Sequence, residues 1–356
     1  MKMHNFYAGP AILPKQVIKE AAKGVLNFNN SGLSILEISH RSKDFMEVID
    51  SAEALIKELL HLPSNYHVLF TTGGASSQFF MTPMNLLNKD ETAYYVNTGT
   101  WSTKAIAEAS HFGNLVELAS SEDKNFNYIP KYKVPSKGKY LHLTSNNTIY
   151  GTQIQHFPKG DIPVVCDMSS DFLSRPIEVE KFGLIYAGAQ KNLGPAGVTV
   201  VIVRDDMLGT VKRHIPTLLD YRTFIKKGSM FNTPPAYPIY VSMLTLKWIK
   251  AKGGLAKMER LNKSKAKLLY NEIDSNPLFS SNIPNKRDRS LMNVTFQITN
   301  PKLKDDFLAE AATNGIVGIK GHRSVGGFRA SIYNAMPRSS VKVLTDLMAD
   351  FTARKG

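Results

Sequence analysis

Cysteine is almost absent from the 356-residue sequence, which contains Cys166 alone. A single cysteine excludes a disulfide framework and favours a reducing compartment, so we expect a cytoplasmic protein. Long apolar runs are missing too, and no stretch approaches the roughly 20 apolar residues that a membrane-spanning helix needs. Residues 6–11 are turn and contact residues instead of the apolar core of a signal peptide. The sequence therefore predicts no membrane association and no secretion.

Acidic residues are also in short supply, because 44 Lys and Arg stand against 30 Asp and Glu, which gives a formal net charge of +14. Such an excess can indicate nucleic-acid binding, but here the basic residues are scattered and no RNA- or DNA-binding motif accompanies them. A solvated surface with a basic pocket for acidic metabolites is the simpler explanation of the charge. We therefore expect small-molecule substrates and no nucleic-acid partner.

Strand and helix patterns alternate between residues 67 and 203, which is typical of a large, mainly parallel sheet covered by helices. After Pro277 the pattern changes to α+β. The hydrophobic content of 43% suits a packed core, and the length allows two domains. We predict an α/β fold with an N-terminal arm at residues 1–14 that packs with the small domain. A large domain would cover residues 15–258 and a smaller α+β domain residues 259–356.

Lys191 lies in a turn of small and polar residues that follows an apolar run at residues 183–187. An ammonium beside a buried strand is costly to desolvate unless chemistry or a partner compensates, and a lysine amine can form a Schiff base with an aldehyde. Asp167 ends a second apolar run, at the edge where α/β proteins bind ligands. A carboxylate there can keep the pyridine nitrogen of pyridoxal phosphate protonated. The alternative for Lys191 alone is a solvated loop lysine, and the alternative for Asp167 alone is a residue that caps a helix. Together the two residues predict a catalytic site.

Further candidates are residues that bind anions. The segment that begins at Gly73 and Gly74 offers backbone N–H groups at a helix start, although a glycine pair alone is a weak signal. Arg41 and Arg329 are candidates for a carboxylate clamp, because the guanidinium binds carboxylates in a bidentate way. The glycine-flanked residues 320–323 concentrate cationic side chains, as a phosphate site requires. A surface salt bridge is the alternative for any one arginine.

Short motifs in a common order extend over nearly the whole chain, from residue 6 to the C-terminus. They are GPA at 9–11, SHR at 39–41, GG at 73–74, YAGAQKN at 186–192, GSMFNTPP at 228–235, KGHR at 320–323 and RASIYNA at 329–335. With these motifs the sequence resembles the phosphoserine aminotransferase family. Its members are class-V, fold-type-I enzymes that use pyridoxal 5′-phosphate.

The resemblance implies a role for each site residue and no metal. Lys191 and Asp167 are the implied catalytic residues and also contact the cofactor. The other implied cofactor contacts are Ala75, Ser76, Trp101, Thr148, Gln190, Asn232 and Thr233. The implied substrate contacts are Arg41, His322, Arg323 and Arg329. Many relatives read Gly-Arg or Gly-Cys where this chain has Ala75 and Ser76, so the backbone role carries over while a side-chain role for Ser76 stays open.

The resemblance also implies a homodimer with shared active sites. In the family, Asn232 and Thr233 reach the cofactor phosphate of the neighbouring subunit, while His322 and Arg323 reach the substrate phosphate across the interface. From the sequence alone, Thr233 is equally well interpreted as the N-cap of the helix that follows.

The implied reaction transfers the amino group of glutamate to 3-phosphohydroxypyruvate, giving 2-oxoglutarate and phosphoserine in L-serine biosynthesis, with ping-pong kinetics. Another class-V aminotransferase of small oxo acids is the alternative, and activity on a phosphorylated four-carbon oxo acid of vitamin B6 synthesis stays open. A cysteine desulfurase is disfavoured, because it needs a mobile nucleophilic cysteine and Cys166 is predicted inside a buried strand.

Overall fold

The computed structural model describes residues 2–355, in which helices and strands alternate as predicted. Met1 and Gly356, the outer ends of the predicted arm and C-terminal domain, lie outside the described residues. The helices are α1 (Lys15–Leu26), α2 (Lys43–Leu60), α3 (Gly74–Leu86), α4 (Thr100–Ala109), α5 (Tyr221–Lys226), α6 (Ala236–Ala251), α7 (Gly254–Ser275), α8 (Lys304–Thr313) and α9 (Arg338–Lys355). The strands are β1 (His4–Asn5), β2 (Tyr66–Thr71), β3 (Thr92–Asn97), β4 (Asn114–Ser120), β5 (Leu141–Thr144), β6 (Val164–Asp167), β7 (Phe182–Gly188), β8 (Thr199–Arg204), β9 (Phe279–Ser281), β10 (Asn293–Ile298), β11 (Ile316–Val317) and β12 (Phe328–Ser331).

The large sheet has seven strands in the order β2-β8-β7-β6-β5-β3-β4. The prediction of a mainly parallel sheet is confirmed, since β3 to β7 pair in parallel. The exception is β8, which runs antiparallel to both β2 and β7. Every residue of β5, β6 and β7 is buried, as expected for strands covered by helices on both faces.

The carboxyl ends of the parallel strands meet at one edge of this sheet, and the site is built there. Because β8 is antiparallel to both of its neighbours, β2 has the same direction as β7. The start of α3, which follows β2, therefore lies at the same edge as the ends of β5, β6 and β7. This is where ligands bind in open α/β sheets.

A second, three-stranded antiparallel sheet of β12, β10 and β9 forms the C-terminal part of the molecule. Its core is a group of buried phenylalanines with ring centroids 5.0–6.4 Å apart, namely Phe279, Phe296, Phe307, Phe328 and Phe351. The short β1 pairs in parallel with β11, so the N-terminal residues contact this part. The predicted boundary at residue 258 falls inside α7, and the domain limits stay predictions.

Candidate active site

Three neighbouring strand ends bring the first side chains of the site together. Thr144 ends β5 opposite Asp167, and Asp167 ends β6 opposite Tyr186 of β7. The chain leaves β7 through the turn that carries Lys191. Asp167 and Lys191 therefore lie at the carboxyl ends of two adjacent parallel strands, Asp167 as the last residue of β6 and Lys191 in the turn after β7.

Lys191 is half-buried and donates a hydrogen bond from Nζ to Thr148 Oγ1, at 2.7 Å. Burial lowers the pKa of Lys191 from 10.5 to about 8; nearby Arg329 also lowers it, while Asp167 and Asp171 oppose the shift. A lysine with such a pKa is partly neutral near physiological pH, which is the form that acts as a nucleophile or base. This environment supports the catalytic role predicted for it.

Asp167 is 5% exposed, and its Oδ1 accepts the backbone N–H of Ser169 at 2.9 Å. Burial raises the pKa of Asp167, although the Ser169 hydrogen bond and the Lys191 charge lower it. The alternative of a helix cap is wrong, because turns and no helix follow Asp167. By contrast, the nearby buried Asp171 is compensated by Ser145, Gln153 and Arg175, so it has a structural role.

A cavity of about 130 Å³ connects these two residues. Of the predicted cofactor contacts, the cavity is lined by Ala75, Ser76, Trp101, Thr148, Asp167, Gln190 and Lys191. The sequence reasoning missed the lining residues Phe79, Thr144, Asn146, Ser169 and Ser170. Two signals were available for them: Ser169 and Ser170 follow Asp167 directly, and Asn146 stands in the segment that carries Thr148.

The start of α3 forms one wall of the cavity. Gly73 and Gly74 have φ values of 89° and 68°, a left-handed region that favours glycine. No side chain caps this helix, so the N–H groups of its first turn remain available for a ligand. Together with the helix dipole they form an anion site. The predicted backbone role of Ala75 and Ser76 is consistent with this geometry.

Trp101, the second residue of α4, forms another wall. Its indole Nε1 is buried and has no hydrogen-bond partner within residues 2–355. Thr144 Oγ1, which lines the same cavity, is likewise buried without a partner among these residues. Because buried polar groups are normally satisfied, both atoms indicate that the cavity receives a polar ligand.

Arg329 on β12 brings the C-terminal sheet to the cavity. Its Nη1 donates to the carbonyl of Thr148 at 3.1 Å, so Thr148 contacts both Arg329 and Lys191. His322 lies near Arg329, since burial and then the Arg329 and Arg323 charges lower the pKa of His322. None of the salt bridges within residues 2–355 includes Arg329, His322 or Arg323. An anionic ligand would compensate the positive charges of Arg329 and Arg323.

Six predicted contacts are not among the residues that line the cavity: Arg41, Asn232, Thr233, His322, Arg323 and Arg329. Of these, Arg329 reaches the cavity wall through its hydrogen bond to Thr148. Arg41 is exposed in the turn before α2, and Asn232 and Thr233 are exposed in the segment before α6. The interpretation of Thr233 as a helix N-cap is wrong, because α6 begins at Ala236 with Pro235 in the cap position. A part for Arg41, Asn232 and Thr233 in the site would therefore require a second chain.

Comparison with known proteins identifies the family. The family described as aminotransferase class-V matches residues 3–344. The chain belongs to the class-V aminotransferases. A phosphoserine aminotransferase of Flavobacterium johnsoniae is 58% identical over 350 residues, with 98% of each chain covered.

Solved structures of class-V aminotransferases agree with this assignment. The phosphoserine aminotransferase of Bacillus circulans subsp. alkalophilus superimposes with a TM-score of 0.96 at 45% identity, covering 100% of this chain and 99% of the other. The pyridoxal phosphate-bound phosphoserine aminotransferase of Trichomonas vaginalis gives a TM-score of 0.92 at 40% identity, covering 98% and 100%. The predicted fold of a pyridoxal phosphate-dependent transferase is therefore confirmed.

The residues of this class-V aminotransferase fit pyridoxal phosphate. The start of α3 offers N–H groups for its phosphate, and Asp167 is a buried carboxylate that lacks a salt-bridge partner within residues 2–355. A cationic ring nitrogen would compensate Asp167, and an indole wall suits an aromatic ring. Lys191 offers an amine of lowered pKa for the aldehyde.

Other chemistry at this site is less well supported. Cys166 is fully buried and burial raises the pKa of its thiol, so it lacks the exposure and the thiolate character of a desulfurase nucleophile. Within residues 2–355, no three His, Cys, Asp or Glu side chains are grouped to hold a metal ion. The same part of the chain contains no helix of the length and apolarity needed to cross a bilayer.

Proposed function

We propose that this chain is a pyridoxal phosphate-dependent aminotransferase that exchanges the amino group between glutamate and the phosphoserine/3-phosphohydroxypyruvate pair. The observation that carries the proposal is the placement of Lys191 and Asp167 in one cavity, with Arg329 hydrogen-bonded to Thr148 of the cavity wall, in a chain of this family. Identity of 58% to a phosphoserine aminotransferase over nearly the whole length supports the substrate assignment.

When bound, pyridoxal phosphate supplies an aldehyde carbon to which amino groups attach and a protonated ring that accepts the electron pair released at the substrate α-carbon. Asp167 would hold the proton on the ring nitrogen. Lys191 would be the base that takes the proton from the substrate α-carbon, which its lowered pKa allows. Trp101 would offer its indole to the ring and help to exclude water.

Arg329 has the position and the chemistry to hold the α-carboxylate of either substrate. Its guanidinium hydrogen-bonds to the carbonyl of Thr148, whose hydroxyl accepts from Lys191 Nζ. A carboxylate on Arg329 would therefore lie beside the lysine that removes the α-proton. Such positioning accounts for much of the rate gain in two-substrate reactions.

His322 and Arg323 are proposed to bind the second anionic group of the substrate, while Arg41 remains a candidate for the carboxylate clamp. Phosphoserine carries a phosphate and glutamate a second carboxylate, so one cationic region serves both amino-group donors. The net charge of +14 is consistent with acidic substrates.

We infer that the working form is a homodimer with shared sites. Asn232, Thr233 and Arg41 are exposed in the single chain and lie outside the cavity. Phe231, next to Asn232 in the chain, and Leu218 leave 43% and 44% of their surface exposed, and such apolar side chains are suited to a subunit interface. A partner subunit would bury Phe231 and Leu218. Asn232 and Thr233 would then reach the phosphate of the cofactor that the partner subunit holds.

The activity is tested with purified protein incubated with phosphoserine and 2-oxoglutarate, while glutamate formation is followed. Aspartate and alanine in place of phosphoserine serve as controls. We expect phosphoserine to be the preferred donor, with parallel double-reciprocal plots. Preference for another amino acid would overturn the substrate assignment and leave the family assignment intact.

The position of the cofactor is tested by borohydride reduction followed by peptide mapping. The pyridoxyl group should be found on Lys191 and be absent from the Lys191→Ala protein. Lys265 is a demanding internal control, because it is 2% exposed and burial lowers its pKa to about 7. Its Nζ already donates to the carbonyls of Ile332 and Tyr333, so we expect no label there.

A further inference from the structure

Three buried asparagines join separate segments of the chain beneath the active site. The backbone N–H of Asn334 donates to Asn192 Oδ1 at 3.0 Å, and Asn334 Oδ1 accepts from Asn262 Nδ2 at 2.8 Å. Asn192, Asn262 and Asn334 are 5%, 1% and 6% exposed. We refer to these three residues as the amide cluster.

Two members of the amide cluster lie close in the chain to a residue of the site, and the third lies on a long helix. Asn192 follows Lys191 directly, and Asn334 lies three residues beyond β12, the strand of Arg329. Asn262 belongs to α7, the long helix that spans the predicted domain boundary.

The amide cluster also binds the loop that follows Asp167. Asn334 Nδ2 donates to the carbonyl of Leu173 at 2.9 Å, and Asn262 Nδ2 donates to that of Ser174 at 3.1 Å. Leu173 has a φ of 57°, which a branched side chain seldom adopts without support from its surroundings. The hydrogen bond from Asn334 gives that support.

Two observations distinguish the amide cluster from ordinary core packing. Asn262 Oδ1 is buried without a partner within residues 2–355, so this side chain acts through its two donated hydrogen bonds. Lys265 of α7 also holds the turn that follows β12, because its Nζ donates to the carbonyls of Ile332 and Tyr333. The hydroxyl of Tyr333 in turn donates to the carbonyl of Ala8. The turn after β12 is therefore held by polar contacts to α7 and the N-terminal arm.

We propose that Asn334 and Asn262 are positioning residues that keep the site in register with Arg329. Their side chains hold the loop after Asp167 on the segment after β12, and the backbone N–H of Asn334 holds Asn192, next to Lys191, on the same segment. The kinetic part of this inference rests on the proposed function; the structural part does not. Without the amide cluster, the Arg329 strand would move relative to Lys191. A displacement of about 1 Å can reduce the rate about 100-fold without any direct contact with the substrate.

The test compares Asn334→Ala and Asn262→Leu with a matched control, Asn276→Ala. Asn262→Leu keeps the side-chain shape and removes the donors. Asn276 is also buried and hydrogen-bonded, but it lies at the C-terminal cap of α7, and its side chain bonds to Glu272, Leu278, Met348 and Thr352 of the C-terminal part. The three proteins are compared without cofactor by hydrogen exchange, and with cofactor by kcat and KM for phosphoserine.

We expect both amide-cluster variants to exchange amide hydrogens faster than wild type in segments 168–174 and 188–194, whereas Asn276→Ala leaves these segments unchanged. We also expect kcat/KM to fall roughly 10- to 100-fold, with most of the loss in kcat. Because the cofactor-free exchange measurement needs no activity, it tests the amide cluster even if phosphoserine proves not to be the substrate.

Two results would overturn the proposal. One is unchanged exchange in segments 168–174 and 188–194 of Asn262→Leu. The other is equal kinetic loss in Asn262→Leu and Asn276→Ala at equal loss of stability, which indicates a general structural role. If Asn334→Ala does not fold, Asn262→Leu decides the question, because the side-chain hydrogen bonds of Asn262 within residues 2–355 go to Ser174 and Asn334 and not to Lys191 or Asn192.

Discussion

Removing the charge of Asp167 and removing the charge of Arg329 should shift the pKa of Lys191 in opposite directions. Burial, reinforced by Arg329 and opposed by Asp167, lowers that pKa from 10.5 to about 8. Asp167→Asn should therefore lower the pKa further, whereas Arg329→Gln should raise it towards its ordinary value. The experiment uses protein prepared without pyridoxal phosphate, in which the amine is free.

The size of the effect follows from the wild-type pKa. A pKa of about 8 instead of 10.5 leaves about 300 times more neutral amine at pH 7, because each unit changes the ratio tenfold. Only the neutral amine reacts with an acylating reagent, so Lys191 should label far faster than an exposed lysine near neutral pH.

Trace acylation from about pH 6 to about pH 11, followed by mass spectrometry, gives the titration midpoint of Lys191. Exposed Lys252 serves as the internal reference in the same samples. Asp346→Asn is the control variant, because Asp346 pairs with Lys342 on α9 and should not affect the midpoint. A wild-type midpoint near 10.5, or shifts of the same sign in the two site variants, would refute the reasoning.

Three further predictions concern the rate, the assembly and the pH dependence of stability. Asp167→Asn should reduce kcat about 30- to 150-fold with little change in KM, equivalent to about 2–3 kcal/mol for a charged hydrogen bond to the ring nitrogen. An unchanged steady-state kcat, with the chemical step rate-limiting, would show that Asp167 does not have this role. A mixture of equal amounts of Lys191→Ala and Arg323→Ala chains should regain about a quarter of wild-type activity. Random exchange makes half of the dimers mixed, and each mixed dimer has one intact site. Verified subunit exchange without recovery of activity would contradict shared sites. Burial lowers the pKa of His142 to about 3 in the folded protein. As the pH falls, His142 is therefore protonated first in the unfolded chain. This residue alone should reduce the free energy of unfolding by about 2 kcal/mol between pH 7 and pH 5. His142→Gln can keep a partner for the Tyr186 hydroxyl and should reduce the acid sensitivity measured by urea unfolding by that amount; an equal loss in both proteins would show that His142 is not its source.

The pairing of Lys191 with Asp167 was predictable because both residues are marked by local patterns. Each follows or ends an apolar run of strand length, and the carboxyl ends of parallel strands meet at one edge of a sheet. The start of α3 was predictable for a similar reason, since glycines at a strand–helix turn provide free N–H groups whatever the rest of the fold.

The direction of β8 could not be read from the sequence, because an apolar run of valines has the same pattern in a parallel or an antiparallel strand. The same limit applies to Lys265. It lies on α7 among other lysines, and its burial follows from the packing of that helix on the end of β12.

The sequence by itself determined the site chemistry, the strand–helix order and the family resemblance, because these depend on residues close together in the chain or on motifs in a common order. The tertiary structure alone revealed the amide cluster, whose hydrogen bonds join residues 142 and 72 positions apart. It also brought Arg329 to Thr148 across 181 positions. Such contacts are set by how the two sheets pack against each other, and no local pattern in the chain encodes that packing.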